Sequence, residues 1–163
     1  MLSQTTVNDL NTIFAGELSV TSTKRRTGKW ECKLTETLIG EYLITPLTSA
    51  RMLKSEGYWM NNCSRDYTRQ CEEFEYCIFS IRRRTGERLA TLGLANDPGY
   101  WIFDQCYGPS NSEVLEETYE YIDEDEVLQF DCNPTELYYV AHEVVRLMNS
   151  KDNSKDQSSC SQQ

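Results

Sequence analysis

The sequence predicts an α+β domain in which helices pack on an antiparallel β-meander of about four to five strands. Three observations carry that prediction. Strand-like runs follow one another between Tyr76 and Tyr107 with only short, turn-forming connections, the pattern of strands that pair with their sequence neighbours. Apolar residues at helical spacing flank this block on both sides. A chain of 163 residues is long enough to bury a real core, so residues 1–149 are expected to form a single domain and 150–163 a disordered polar tail.

Taken in order, Val7, Leu10, Ile13 and Phe14 predict a short helix within residues 1–16. Residues 17–34 change to two strand-like arms around the basic turn Lys24-Arg25-Arg26-Thr27-Gly28-Lys29, in which glycine supplies a positive φ. Tyr42 to Pro46 reads as an extended segment ended by proline. Thr48 or Ser49 then caps a short helix running through Lys54, with Gly57 as its stop. A second helix is expected over 62–74, with Cys63, Tyr67, Cys71 and Phe74 on one face. Tyr76–Ile81, Arg88–Leu94 and Tyr100–Tyr107 follow as strands, the last pair joined by the strong turn signal Asn96-Asp97-Pro98-Gly99. The first two runs are apolar on both pleat faces, which predicts either a sheet covered on both sides or a central position in it. From Ser112 a helix is expected with Val114, Leu115 and Tyr119 inward and an acidic outer side. A short strand at 127–130 follows, and then a final helix over 134–149, capped by Asn133 with Pro134 at its first position.

Composition limits function. No window approaches the ~20 apolar residues of a membrane span, and the polar start from Met1 to Asn11 lacks an export signal, so a cytoplasmic protein is expected. The seven cysteines are odd in number and lack ligand or disulfide spacing, and His142 is the single histidine; neither a structural metal nor a disulfide framework is expected. The net charge of −10 is unevenly spread. Residues 1–96 hold 13 basic and 11 acidic side chains, whereas 97–163 hold 3 and 15. Eight of those acids lie within 113–126, a segment suited to a basic partner or simply to solvent.

Chemistry has few candidates. Cys63 near a predicted helix start would gain thiolate character, and a nucleophilic cysteine needs a base, for which His142 is the one histidine. A buried structural Cys63 is the competing reading. Asp123 to Glu126 lack the spaced loop of a calcium site. Neither a phosphate-cradling glycine loop nor a serine elbow is present, so no cofactor is expected. Arg82, Arg83, Arg84 and Arg88, interleaved with Trp30, Tyr76 and Trp101, suit a nucleic-acid backbone or a solubilising turn.

Five ordered matches carry a family resemblance: Leu53-Lys-Ser-Glu56-Gly57; Met60-Asn61-Asn62-Cys63 with Tyr67; Tyr76 to Arg82; Ala90-Thr91-Leu92; and Gln105, Gly108 and Asn111. Over residues of about 45–121 the chain resembles the PcfJ-like family, whose members are encoded on conjugative plasmids, phages and related mobile elements. That family commonly has histidines where this chain has Asn61 and Asn62, so His-dependent chemistry does not carry over. The shared positions define a polar set of Asn61, Asn62, Cys63, Tyr67, Gln105 and Asn111, which converges if the helix crosses the meander. The expected function is a non-enzymatic accessory protein of a mobile element. It would bind a protein or nucleoprotein machine through Glu113, Glu116, Glu117, Glu120, Asp123 and Glu124. The alternatives are a cysteine-dependent enzyme or toxin-like effector around Cys63, and nucleic-acid binding by the arginine turn.

Overall fold

The computed structural model describes residues 27–150. The predicted N-terminal helix, the first half of the first basic turn and the polar tail beyond Ser150 lie outside the described residues. Among the described residues, two sheets and three α-helices make an α+β fold.

Five antiparallel strands form the main sheet in sequence order: β1 Thr37–Ile39, β2 Tyr42–Pro46, β3 Tyr76–Arg83, β4 Arg88–Asp97 and β5 Tyr100–Tyr107. The turns follow from local chemistry. Gly86 at φ +91° and Gly99 at φ +87° supply left-handed positions between β3 and β4 and between β4 and β5. β3 is buried from Tyr76 to Ile81, and β4 is buried through its centre, as two-sided apolar runs require.

Alternation sends successive side chains to opposite faces of this sheet. On one face, Ile44, Phe79, Ile81, Ala90, Leu92 and Leu94 meet Val140, Ala141, Val144 and Met148 of α3, Glu136–Asn149. On the other, Tyr76 and Ile78 meet Leu47, Leu53 and Cys71 beneath α1, Ala50–Met60, and α2, Thr68–Glu72. The register shifts between Gly93 and Leu94, which pair with Gln105 and Phe103 and leave Asp104 as the extra residue of a bulge. This bulge turns Asp104 towards the α1 side, where it accepts a hydrogen bond from Tyr76 Oη at 2.5 Å.

Several expectations need correction. Ser49 caps α1 as expected, its Oγ accepting from Met52 N at 3.3 Å, but Gly57 is not the stop. The helix continues to Met60 and ends at Asn61, which takes the left-handed conformation itself (φ 50°, ψ 55°). Gly57 is wanted for closeness instead: a Cβ there would lie 3.1 Å from Asn62 O. The helix expected over 62–74 breaks into a 3₁₀ turn at Ser64–Tyr67 and the short α2, leaving Cys63 and Phe74 exposed. Residues 29–34 form no hairpin arm, only an isolated bridge from Lys29 to Ser49. α3 starts two residues later than expected, with Thr135 at its N-cap.

The largest correction concerns the acidic segment. It is not a helix but a β-hairpin, β6 Glu116–Ile122 paired with β7 Leu128–Pro134 from Glu116↔Pro134 to Ile122↔Leu128. Thr-Tyr-Glu-Tyr-Ile at 118–122 is rich in β-branched and aromatic residues, and that preference wins where no core exists to fix a helical face.

Candidate functional site

Three regions carry the residues singled out for function, and the structure treats them differently. Asn61 ends α1, and the chain turns at once through Asn62 and Cys63 into the 3₁₀ turn, whose Tyr67 faces back towards β5. Asn62, Cys63, Tyr67, Gln105 and Asn111 line one small cleft between α1, the 3₁₀ turn and β3–β5, together with Thr91 and Gly93. Asn61 stands outside the lining and donates from Nδ2 to Ser110 Oγ at 3.0 Å.

Within the cleft the polar groups satisfy one another. Asn62 Nδ2 donates to Thr91 Oγ1 at 3.1 Å, and Asn62 Oδ1 accepts from Ser64 N at 3.0 Å and Ser64 Oγ at 2.5 Å. Thr91 Oγ1 in turn donates a hydrogen bond to Glu56 Oε1 at 3.1 Å. Gln105 Nε2 donates to Tyr67 Oη and Tyr76 Oη, each at 3.0 Å, while the two tyrosine rings stack at 4.7 Å. Burial, reinforced by the carboxylate of Asp104, holds the Tyr76 phenol far above its ordinary pKa, so it remains a donor at any physiological pH. The cavity left between these groups is about 30 Å³, room for a water molecule or two.

Cys63 lies at the mouth of this cleft, but the catalytic pairing foreseen for it is not assembled. His142 stacks on Phe103 at 5.4 Å and touches Tyr138 at 4.3 Å on the α3 side of the sheet. Cys63 lies on the α1 side, against Gly93 and Gln105. The sheet separates the two. Nor does a full α-helix begin at Cys63, which precedes only the 3₁₀ turn.

The arginine turn is largely spoken for. Glu56 is fully buried and holds Arg88 Nε at 2.8 Å and Arg82 Nη2 at 3.7 Å. Burial and the nearby Arg88 lower the pKa of Arg82, against the pull of Glu56. Arg83 pairs with Glu87 at 3.0 Å, leaving Arg84 the most available cation of the four. Tyr76 is buried and Trp30 and Trp101 are half-buried, so none of the three aromatics offers an open ring beside that turn. Sequence reasoning noted Glu56 among the family-shared residues but gave it no role, although a carboxylate at i+3 from Leu53 and i−4 from Met60, on the buried face of α1, is a readable signal.

The acidic residues gather on and below the β6–β7 hairpin. Every residue of β6 is exposed. Directly paired residues share a face, so one side carries Glu116, Glu120, Ile122, Leu128 and Phe130, and the other Glu117, Tyr119, Tyr121 and Asp131. Ile122 is 70% exposed and Phe130 62%. At the tip, Asp123 Oδ1 accepts from Asp125 N at 3.0 Å and Val127 N at 2.9 Å, and Oδ2 from Gln129 Nε2 at 2.8 Å. At the base, Glu113, Glu116, Glu117 and Glu136 surround an open cleft of about 420 Å³ with Tyr42, whose Oη donates to Glu136 at 2.6 Å.

Among the described residues no helix is long and apolar enough to cross a membrane. No curated protein and no solved structure matches the chain. A family model described as PcfJ-like protein matches residues 10–123. That span includes the whole five-stranded sheet, α1, the polar cleft and the first strand of the hairpin, and it exceeds half the sequence. The chain therefore belongs to the PcfJ-like protein family.

Proposed function

We propose that this is a non-enzymatic accessory protein of a mobile genetic element, plasmid or phage. In this reading it works in the cytoplasm and binds a basic protein or nucleoprotein machine, of conjugation or of host defence, through the β6–β7 hairpin. The observation that supports it is the hairpin's exposure. An isolated two-stranded ribbon in water is marginal, yet this one displays Ile122, Val127, Leu128 and Phe130 beside a dense set of carboxylates. Apolar anchors rimmed by one sign of charge suit a partner with an apolar pocket and a basic rim. The polar cleft supports catalysis less well, because its side chains are mutually bonded and its free volume is that of solvent molecules.

The test is a tagged wild-type pull-down from the native host, followed by reconstitution with the purified partner. It runs beside Glu116→Gln/Glu117→Gln/Glu120→Gln and Phe130→Ser variants. A stoichiometric partner lost or weakened at least about tenfold in both variants is the expected result, with Phe130 contributing as a buried anchor. Equal capture by all three proteins at about 50 and 150 mM salt removes the hairpin from the interface.

A further inference from the structure

The outward face of α1 carries a surface that no sequence motif marked and that lies away from the hairpin. α1 buries Leu53, Glu56 and Met60 against the sheet. At about 100° per residue the opposite side of the helix is Arg51, Lys54 and Tyr58, with Trp59 beside them. Tyr58 is 78% exposed and Trp59 65%, the two most exposed aromatic rings among the described residues. They meet edge to face, centroids 5.4 Å apart and planes at 85°, which leaves most of their ring faces uncovered.

Among the described residues the cations on this face have no carboxylate partner. Neither Arg51 nor Lys54 forms an ion pair or hydrogen bond with another described residue, and the helix's one carboxylate, Glu56, points the other way into the sheet. The exposed Lys29, bridged through its backbone to Ser49, extends the basic end towards the start of the helix. The acidic hairpin is rooted elsewhere, since Val114 and Leu115 at its base pack with the α3 cluster on the other side of the sheet. A polyanion can therefore approach α1 without first meeting those carboxylates.

Open aromatic faces next to free cations, with no array of groups to read base edges, are the components of a single-strand platform. Bases stack on rings while Lys and Arg follow the phosphates. A duplex keeps its base faces inside its own stack, and an acidic peptide would use the cations but not the rings. We infer that the outer face of α1 binds single-stranded DNA or RNA without sequence preference, bases stacking on Tyr58 and Trp59 and phosphates meeting Arg51 and Lys54. This surface is independent of the hairpin and stands whether or not the hairpin finds a protein partner.

The experiment is fluorescence anisotropy with labelled mixed-sequence single-stranded DNA, the same sequence as RNA, the matched duplex, and a poly-glutamate peptide, from about 50 to 200 mM salt. Tyr58→Ala/Trp59→Ala should weaken single-strand binding at least about tenfold. Arg51→Gln/Lys54→Gln should lower the salt slope by about 1.4, at about 0.7 per phosphate contact. Trp59→Phe, which keeps a ring, should fall between wild type and the double alanine variant. Arg83→Gln/Arg84→Gln should leave affinity within about twofold, those residues standing on the β3–β4 turn, where Arg83 pairs with Glu87, and not on the outer face of α1. All four side chains of the platform are exposed, so urea midpoints should match and losses report binding. The inference is overturned by absence of single-strand binding at the lowest salt, by duplex affinity equal to single-strand affinity, or by indifference to loss of both rings. Preference for the peptide would overturn it in favour of an acidic protein segment.

Discussion

At the scale of single residues, Glu56 organises the α1 side of the sheet. It is fully buried, faces Arg82 and Arg88, and accepts from Thr91, which in turn receives the Asn62 amide. One carboxylate thus holds the arginines at the end of the β3–β4 hairpin and the loop that follows α1. A buried ion pair adds little net stability, because desolvation offsets the attraction, but removing one partner strands the other. Glu56→Ala should therefore lower the unfolding free energy by about 3–5 kcal/mol in urea denaturation. Glu56→Gln should lose less, since an amide oxygen still accepts from Thr91. Replacing Arg82 and Arg88 by Met in the alanine background should recover part of the loss. A Glu56→Ala protein within about 1 kcal/mol of wild type would mean that the triad is solvated and does not position the loop. Gly93 makes the neighbouring contact possible in another way. A Cβ there would lie 2.7 Å from Tyr76 Cζ, and that ring is held in place through Asp104 and Gln105.

At the scale of elements, what could be read in the sequence follows burial. β3, β4 and β5 were legible because two-sided apolar runs and the turns at Gly86 and Gly99 agree with one another. The convergence of Asn62, Tyr67 and Gln105 was legible only through family-shared positions, because the α1–sheet crossing that assembles them leaves no periodic trace. The hairpin was misread for a physical reason. With every residue of β6 exposed, there is no in–out alternation to see, and scattered apolar residues mimic a helical face. Its tip is instead specified by Asp123, whose carboxylate takes the Val127 and Asp125 amides and the Gln129 side chain, and whose pKa is lowered below the ordinary 3.8, chiefly by the Val127 bond. A carboxylate with a depressed folded-state pKa contributes stability that is complete above the unfolded value and is lost as pH falls through the folded one. The tip should therefore be fully ordered above about pH 5 and loosen below pH 3.8. Amide NMR shifts of Asp125 and Val127 should titrate together in that acid range, and Asp123→Asn should abolish the titration. A titration midpoint above 4 would show that these bonds do not favour the ionised form.

At the scale of the whole molecule, the chain separates a folded body from a projecting arm. The body is the five-stranded sheet between α1 and α3, and its two apolar clusters include no residue of β6 or β7. The arm begins and ends at one point. Thr135 N donates to Leu115 O at 2.8 Å, and Thr135 Oγ1 to Val114 O at 2.7 Å, so the chain leaves the body and returns to it across a single pair of contacts. Closing that gap with a short glycine link costs little loop entropy, and the core loses no packed side chain. A protein in which residues 117–133 are replaced by two glycines should then unfold cooperatively in urea, within about 1 kcal/mol of the full chain, with α3 still docked through Val140, Ala141, Val144 and Met148. The same deletion should abolish capture of a basic partner while leaving single-strand binding at α1 intact, because it removes no residue of α1 and the hairpin's root packs with the α3 cluster. If the shortened chain loses cooperative unfolding, the hairpin is a structural strap for α3, and its exposed Ile122 and Phe130 must be explained by folding and not by recognition.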